Sequence, residues 1–332
     1  MYLLALAGIV ALTPIMHDLW YEPSKEFIFW LKQFKRPWID KSMHILSQIG
    51  DGDGYFYILI ILWSTGKWNK TSNALYEINY VALTYLMCTS LCYILKPIFQ
   101  KSRPYFDDIE LGDTILQDCA AEFGNPSGHS MSAAVVPPIL WLVHSNNHKE
   151  FLQAHYILKY FILTLVGLFC FLVVFSRIYT GRHTFDQCLT GILSGCLITH
   201  FSWCYFKKVF DEQIKKDANH WAQFFKCLFV CVTTFMLACA IYFYIEMFVE
   251  IPAHWFDNAM LICTKRNMNN MFHYSSITGL GTMSFCLAFY YYKALASSKK
   301  SPLKLKWEEG DTETGSTFFE VILKIVLIVL SD

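Results

Sequence analysis

The stretch ILKYFILTLVGLFCFLVVFSRIYTGRHTFDQCLTGILSGCLITHFSWCYFK, residues 157–207, consists of two apolar runs, 157–178 and 186–207, separated by a polar loop. Each run is close to the roughly 20 residues that a helix needs to cross a bilayer. Arg177 and His183 stand at the loop between them. Further apolar runs occur over 54–66, 76–98, 129–145, 224–250 and 274–295, with a short one over 316–331. This pattern predicts an all-α fold, a polytopic membrane helical bundle.

Composition agrees. The chain has 332 residues, 55% apolar and only 16% charged, whereas a soluble domain usually carries about 25% charge. Net charge is zero and there is no long basic tract, so nucleic acid is excluded as a partner and membrane lipids are implied. Most of the cysteines fall inside the apolar runs without zinc spacing, and read as small helix-packing residues. The first 18 residues are apolar but lack a basic n-region, which reads as an uncleaved short helix. Residues 25–41 mix aromatic and basic side chains, which suits a helix lying in the membrane interface. GDGDG at 50–54 reads as a tight turn before a span rather than as a calcium loop.

Three short pieces carry chemistry. In KPIFQKSRP, Lys96 closes a span and Arg103 follows. A helix continued through the segment would put both cations on one face, although Pro97 and Pro104 disturb it. In NPSGHS, residues 125–130, Ser127 is a good N-cap, Gly128 permits close backbone approach, and His129 stands on the first turn, whose unpaired amides suit an anion. The third piece is SRIYTGRHTFDQ, residues 176–187, with Arg177 and His183. Each piece alone also fits a plainer role: snorkelling basic residues, an interfacial histidine, ordinary turn chemistry. Counting spans brings all three to one side of the membrane, and three cations beside two histidines call for an anionic ligand, most naturally phosphate.

KxxxxxxRP, PSGH and SRxxxxxH, in this order on a multi-span chain, resemble the three signatures of the type 2 phosphatidic acid phosphatase (PAP2) superfamily, which includes lipid phosphate phosphatases, glucose-6-phosphatase and vanadium haloperoxidases. The resemblance covers about residues 45–205. It implies a six-helix PAP2-type core at 45–207, preceded by an apolar and interfacial segment at 1–44 and followed at 208–332 by additional spans and the polar loop 297–315. It further implies that Lys96, Arg103, Ser127, Gly128 and Arg177 bind phosphoryl oxygens, that His183 attacks phosphorus and that His129 protonates the leaving group, with no metal and no cofactor. Such roles need His129 protonated and His183 neutral, hence pKa values pushed apart. The family signature places an Asp four residues after the nucleophile to orient it. Here Gln187 stands at that position and Asp186 one before it, so both are candidate imidazole partners.

The Lys and Arg distribution leaves the face opposite the site the more basic, so the positive-inside rule predicts a lumenal active site in the endoplasmic reticulum or another endomembrane, with the mitochondrial inner membrane as an alternative. The expected substrate is a lipid phosphate or isoprenoid diphosphate. Two other readings stand beside it: a glucose-6-phosphatase-like hydrolase of a soluble phosphate monoester, suggested by Gln187, and a catalytically silent subunit of a larger membrane complex. The one sequon, Asn69-Lys70-Thr71, falls on the opposite face, and Cys119 and Cys263 on the catalytic face.

Overall fold

The computed structural model describes residues 1–50, 54–55, 72–112, 122–147, 149–215 and 220–262. Most of the expected span at 54–66, the spans at 274–295 and 316–331, the loop 297–315, the sequon and Cys119 and Cys263 lie outside the described residues. Among the described residues all regular structure is helical, and five helices are long and apolar enough to cross a membrane.

The chain opens with α1 (Tyr2–Lys32), a continuous helix that turns at 33–36 into α2 (Pro37–Ile49). The interfacial helix expected over 25–41 is therefore split. Arg36 is extended, as the residue before a proline prefers, and Pro37 opens α2 at its first position, where its missing N–H leaves no hydrogen bond unmade. Next come α3 (Ser72–Phe99) and the single turn α4 (Pro104–Asp107). These are followed by α5 (Gly128–Ala133), α6 (Val136–Asn147), α7 (Lys149–Ala154) and α8 (Tyr156–Tyr179). The described chain closes with α9 (Phe185–Phe201), α10 (Lys207–Lys215), α11 (His220–Phe248) and α12 (Ala253–Ile262). A π turn at Ser202–Phe206 joins α9 to α10 without a break.

Helix α3 is the most enclosed of the five long helices, while α8 turns Ile157, Phe161, Leu165, Leu168 and Phe171 outward. An apolar outer face is what lipid contact requires. Inside, Tyr80, Leu83 and Tyr85 of α3 pack with Val135, Ile139 and Ile198. Buried hydroxyls add directional contacts: Ser202 meets Tyr80 Oη at 2.9 Å and Thr84 Oγ1 at 2.6 Å, tying the π turn to α3.

The span expected at 129–145 is two helices, because Pro137 and Pro138 cannot donate to the carbonyls of Ala133 and Ala134. Both carbonyls find partners on neighbouring helices. Cys170 Sγ of α8 donates to Ala133 O at 3.0 Å, and Thr199 Oγ1 of α9 donates to Ala134 O at 2.8 Å. With no water in the hydrocarbon region, such side-chain replacement is what makes the break tolerable.

The sequence GILSG places Gly191 and Gly195 on one face of α9, against α5. A Cβ on Gly191 would lie 2.6 Å from Ser127 O, and one on Gly195 2.6 Å from Met131 O. These two glycines let the backbones of the two motif-bearing helices approach directly.

Candidate active site

Lys96 sits in the last turn of α3, which ends where Gln100 adopts a left-handed conformation, φ 51°. Arg103 is extended ahead of Pro104. The two cations do converge, but not as the shared helical face expected from their spacing. They meet instead at Glu122, whose Oε1 pairs with Lys96 Nζ and, at 3.2 Å, with Arg103 Nη2. Arg103 Nε also donates to Glu122 O at 3.0 Å. Both cations are almost wholly buried, so a counter-charge is required.

Ser127 caps α5 by accepting from Ser130 N and from Ser130 Oγ, the latter at 3.0 Å, while its own N–H donates to Gln187 O at 3.0 Å. Gly128 and half-buried His129 form the first turn. Arg177, in the last turn of α8, donates to Ser47 Oγ of α2. Its carbonyl accepts from the N–H groups of Arg182 and His183, at 3.0 and 3.3 Å, which folds the loop back on the helix end.

His183 is buried, with Nε2 3.2 Å from Arg103 Nη1 and Nδ1 3.1 Å from Gln187 Oε1. Gln187 Nε2 donates to Ser102 O at 2.6 Å. A backbone carbonyl can only accept, so the amide's orientation is set: its NH₂ faces Ser102 and its oxygen faces His183. That oxygen in turn requires the proton on His183 Nδ1, leaving the Nε2 lone pair among the cations. Gly124 lies over this amide, where a Cβ would come within 2.7 Å of both Gln187 Oε1 and Ser102 O. Asp186, the other candidate partner, points elsewhere: its Oδ2 pairs with His17 Nδ1 of α1 at 2.9 Å.

Burial, then the Arg103, Arg177 and Lys96 charges, hold the His183 imidazole well below the usual histidine range, so it is neutral at pH 7. His129 faces the same cations together with Arg182. Both imidazoles thus stand against one set of cations, which opposes a proton on either.

Two residues at the site escaped the sequence reading. Glu122 precedes the NPSGHS piece and has no motif of its own. Arg182 is buried beside His183, its guanidinium 5.9 Å from the Tyr105 ring centre and its carbonyl accepting from Arg103 Nη1 at 3.4 Å. Its adjacency to His183 was the available signal.

The site is thus a cluster of buried cations around the His183 imidazole, at one end of a helical membrane bundle. The family model of the PAP2 superfamily matches residues 77–211. Phosphatidylglycerophosphatase B of Bacillus subtilis is 29% identical over 186 residues, which is 55% of this chain and 80% of that protein. Lipid A 4'-phosphatase of Porphyromonas gingivalis is 25% identical over 166 residues, 45% of this chain and 64% of that protein. Among solved structures, the transmembrane PAP2-type phosphatidylglycerolphosphate phosphatase of Bacillus subtilis aligns with a TM-score of 0.49 and 23% identity, covering 65% of this chain and 98% of that one. Over residues 77–211 the chain thus resembles the PAP2 superfamily, and its two named relatives are phosphatases.

Proposed function

We propose that this protein hydrolyses the phosphate monoester or diphosphate of a phosphorylated lipid through a phosphohistidine intermediate. The observation that carries the reading is the fixed tautomer of His183, whose Nε2 lone pair lies 3.2 Å from Arg103 among the buried cations. In the first step Nε2 attacks phosphorus in line, the bond from phosphorus to the leaving oxygen breaks, and His129 gives that oxygen its proton. In the second, His129 takes a proton from water, the hydroxyl attacks phosphorus, and the P–N bond breaks to release phosphate and neutral His183. Lys96, Arg103 and Arg177, with the amides of the Ser127–Gly128 turn, stabilise the equatorial oxygens of the five-coordinate transition state. The substrate's own negative charge offsets the cations and favours a proton on His129.

A lipid substrate is favoured by the two relatives, whose names specify phospholipid and lipid A phosphates. Gln187 no longer argues for a soluble substrate, because the Ser102 carbonyl accounts for an amide there whatever the substrate is. We place the site on the non-cytosolic side of its membrane, following the distribution of basic residues.

The test is phosphate release by purified protein from phosphatidylglycerophosphate, phosphatidic acid, an isoprenoid diphosphate and glucose 6-phosphate, with rapid quenching of labelled substrate. An acid-labile phosphohistidine in the wild type and none in His183→Ala is expected. Orthovanadate, which adopts the five-coordinate geometry, should inhibit more tightly than phosphate, and activity should survive EDTA. Full turnover in His183→Ala, or a requirement for Mg²⁺, overturns the reading.

A further inference from the structure

Helix α1 precedes the segment matched by the family model, which begins at residue 77. Its outward face carries Leu12, Ile15 and Leu19. The other face carries His17, Tyr21 and Ser24 above buried Ile28 and Leu31, a spacing that keeps all five on one stripe. Three polar side chains on an apolar helix are unfavourable unless each has a partner, and here each does.

Ser24 Oγ donates to Trp20 O within α1, which leaves its lone pair to accept from Phe185 N at 3.0 Å. Thr184, at the N-cap position of α9, makes no side-chain cap, so α1 supplies the acceptor for the first amide of the helix that carries Gln187. His17 Nδ1 holds Asp186 Oδ2 at 2.9 Å, and the other oxygen, Oδ1, makes no hydrogen bond among the described residues. Tyr21 Oη donates to Asp107 and lies 3.3 Å from Ser102 Oγ, which donates to the same carboxylate. From α12, Trp255 Nε1 donates to the other Asp107 oxygen at 2.8 Å, and His254 Nε2 lies 3.7 Å from it.

All three anchor points flank His183. Phe185 and Asp186 directly follow its loop, and the carbonyl of Ser102 orients Gln187, which orients the imidazole. We propose that α1 is a positioning helix for the phosphoryl-transfer site: His17, Tyr21 and Ser24 set the place and tautomer of His183 from outside the family core. This inference rests on the phosphatase reading for its kinetic effect, but its structural content does not. Angular placement of a nucleophile within hydrogen-bond tolerance is worth large factors, and a misplacement of about 1 Å costs on the order of 10²-fold in rate.

The experiment uses the full chain in nanodiscs with ¹⁵N-labelled histidine, His183 being assigned from the resonance lost in His183→Ala. The wild type should show His183 as a single Nδ1–H tautomer. Ser24→Ala, His17→Leu and Tyr21→Phe should mix or broaden that signal and lower kcat for phosphatidylglycerophosphate by roughly 10-fold or more, with KM changed by no more than about 2-fold. His17→Asn, whose amide nitrogen reaches where Nδ1 does, and Ser24→Thr should restore both readouts. Leu19→Ala on the outward face should leave them unchanged. Wild-type tautomer signals in the three disruptive variants overturn the inference, as does an equal loss in Leu19→Ala, which would mark mere loosening of the helix. If wild-type protein shows no His183-dependent phosphate release, the phosphatase reading falls, and the tautomer signals still decide whether α1 positions His183.

Discussion

His183 is held by Gln187 through an Nδ1···Oε1 contact of 3.1 Å whose polarity is set from outside the pair, by the Ser102 carbonyl. The amide does locally what a carboxylate could not, since it satisfies an acceptor on one side and a donor on the other.

Gln187→Glu preserves length and shape but sets a carboxylate oxygen against Ser102 O. We expect kcat to fall by about 10-fold or more, the equivalent of about 1–3 kcal/mol for a buried polar group left without its partner. Steady-state kinetics on phosphatidylglycerophosphate measures this. An unchanged or raised kcat would mean that the amide's second contact is dispensable.

Glu122 pairs with both cations, so under the proposed mechanism it competes with substrate. Glu122→Gln should lower KM several-fold. It should also lower the thermal stability of the ligand-free protein, because the buried Lys96 and Arg103 lose their counter-charge. Millimolar phosphate or orthovanadate should recover more stability in the variant than in the wild type, through binding to the folded state alone. Differential scanning fluorimetry with and without the anion reads both effects.

The depressed pKa of His183 fixes a pH signature. A free histidine titrates near 6.5, so NMR of the protein without added substrate should show His183 still neutral as pH falls through that value. Below about 6.5 the unfolded chain binds a proton at this position that the native protein refuses. Stability should therefore fall with decreasing pH in that window, and this contribution should be flat above it. A His183 titrating at or above 6.5 would contradict the assignment.

Sidedness is checked with single-cysteine reporters in a cysteine-free background. Glu250, between α11 and α12, lies at the end of the bundle that holds the site, and Lys149, at the start of α7, at the other. In sealed vesicles an impermeant maleimide should label the two from opposite sides, with the Glu250 reporter on the non-cytosolic side.

The helices were legible where apolar length alone decides, as in α3, α8 and α11, and the motif residues were legible because each piece is local. What the sequence could not express is pairing across distance. Pro137 and Pro138 were in view, yet whether a span could survive them depended on Cys170 and Thr199, 37 and 65 residues from the carbonyls they serve. Glu122 was invisible because a lone acidic residue acquires meaning only beside Lys96 and Arg103. Asp186 and Gln187 could not be ranked from spacing, since both can face back along a helix. The choice was made by His17, which is 169 residues from Asp186.

The break in the α5–α6 span has a mechanical consequence. Its two interrupted rungs are replaced by bonds to α8 and α9, the helices that bracket the His183 loop, so the turn bearing His129 is bolted to the same chassis as His183. Tilting that turn away from the imidazole means shearing a bond in a medium that offers no substitute. The spacing between His129 and His183 is thus a property of the frame, which leaves Glu122, held by its pairs with Lys96 and Arg103, as the part that must yield under the proposed mechanism.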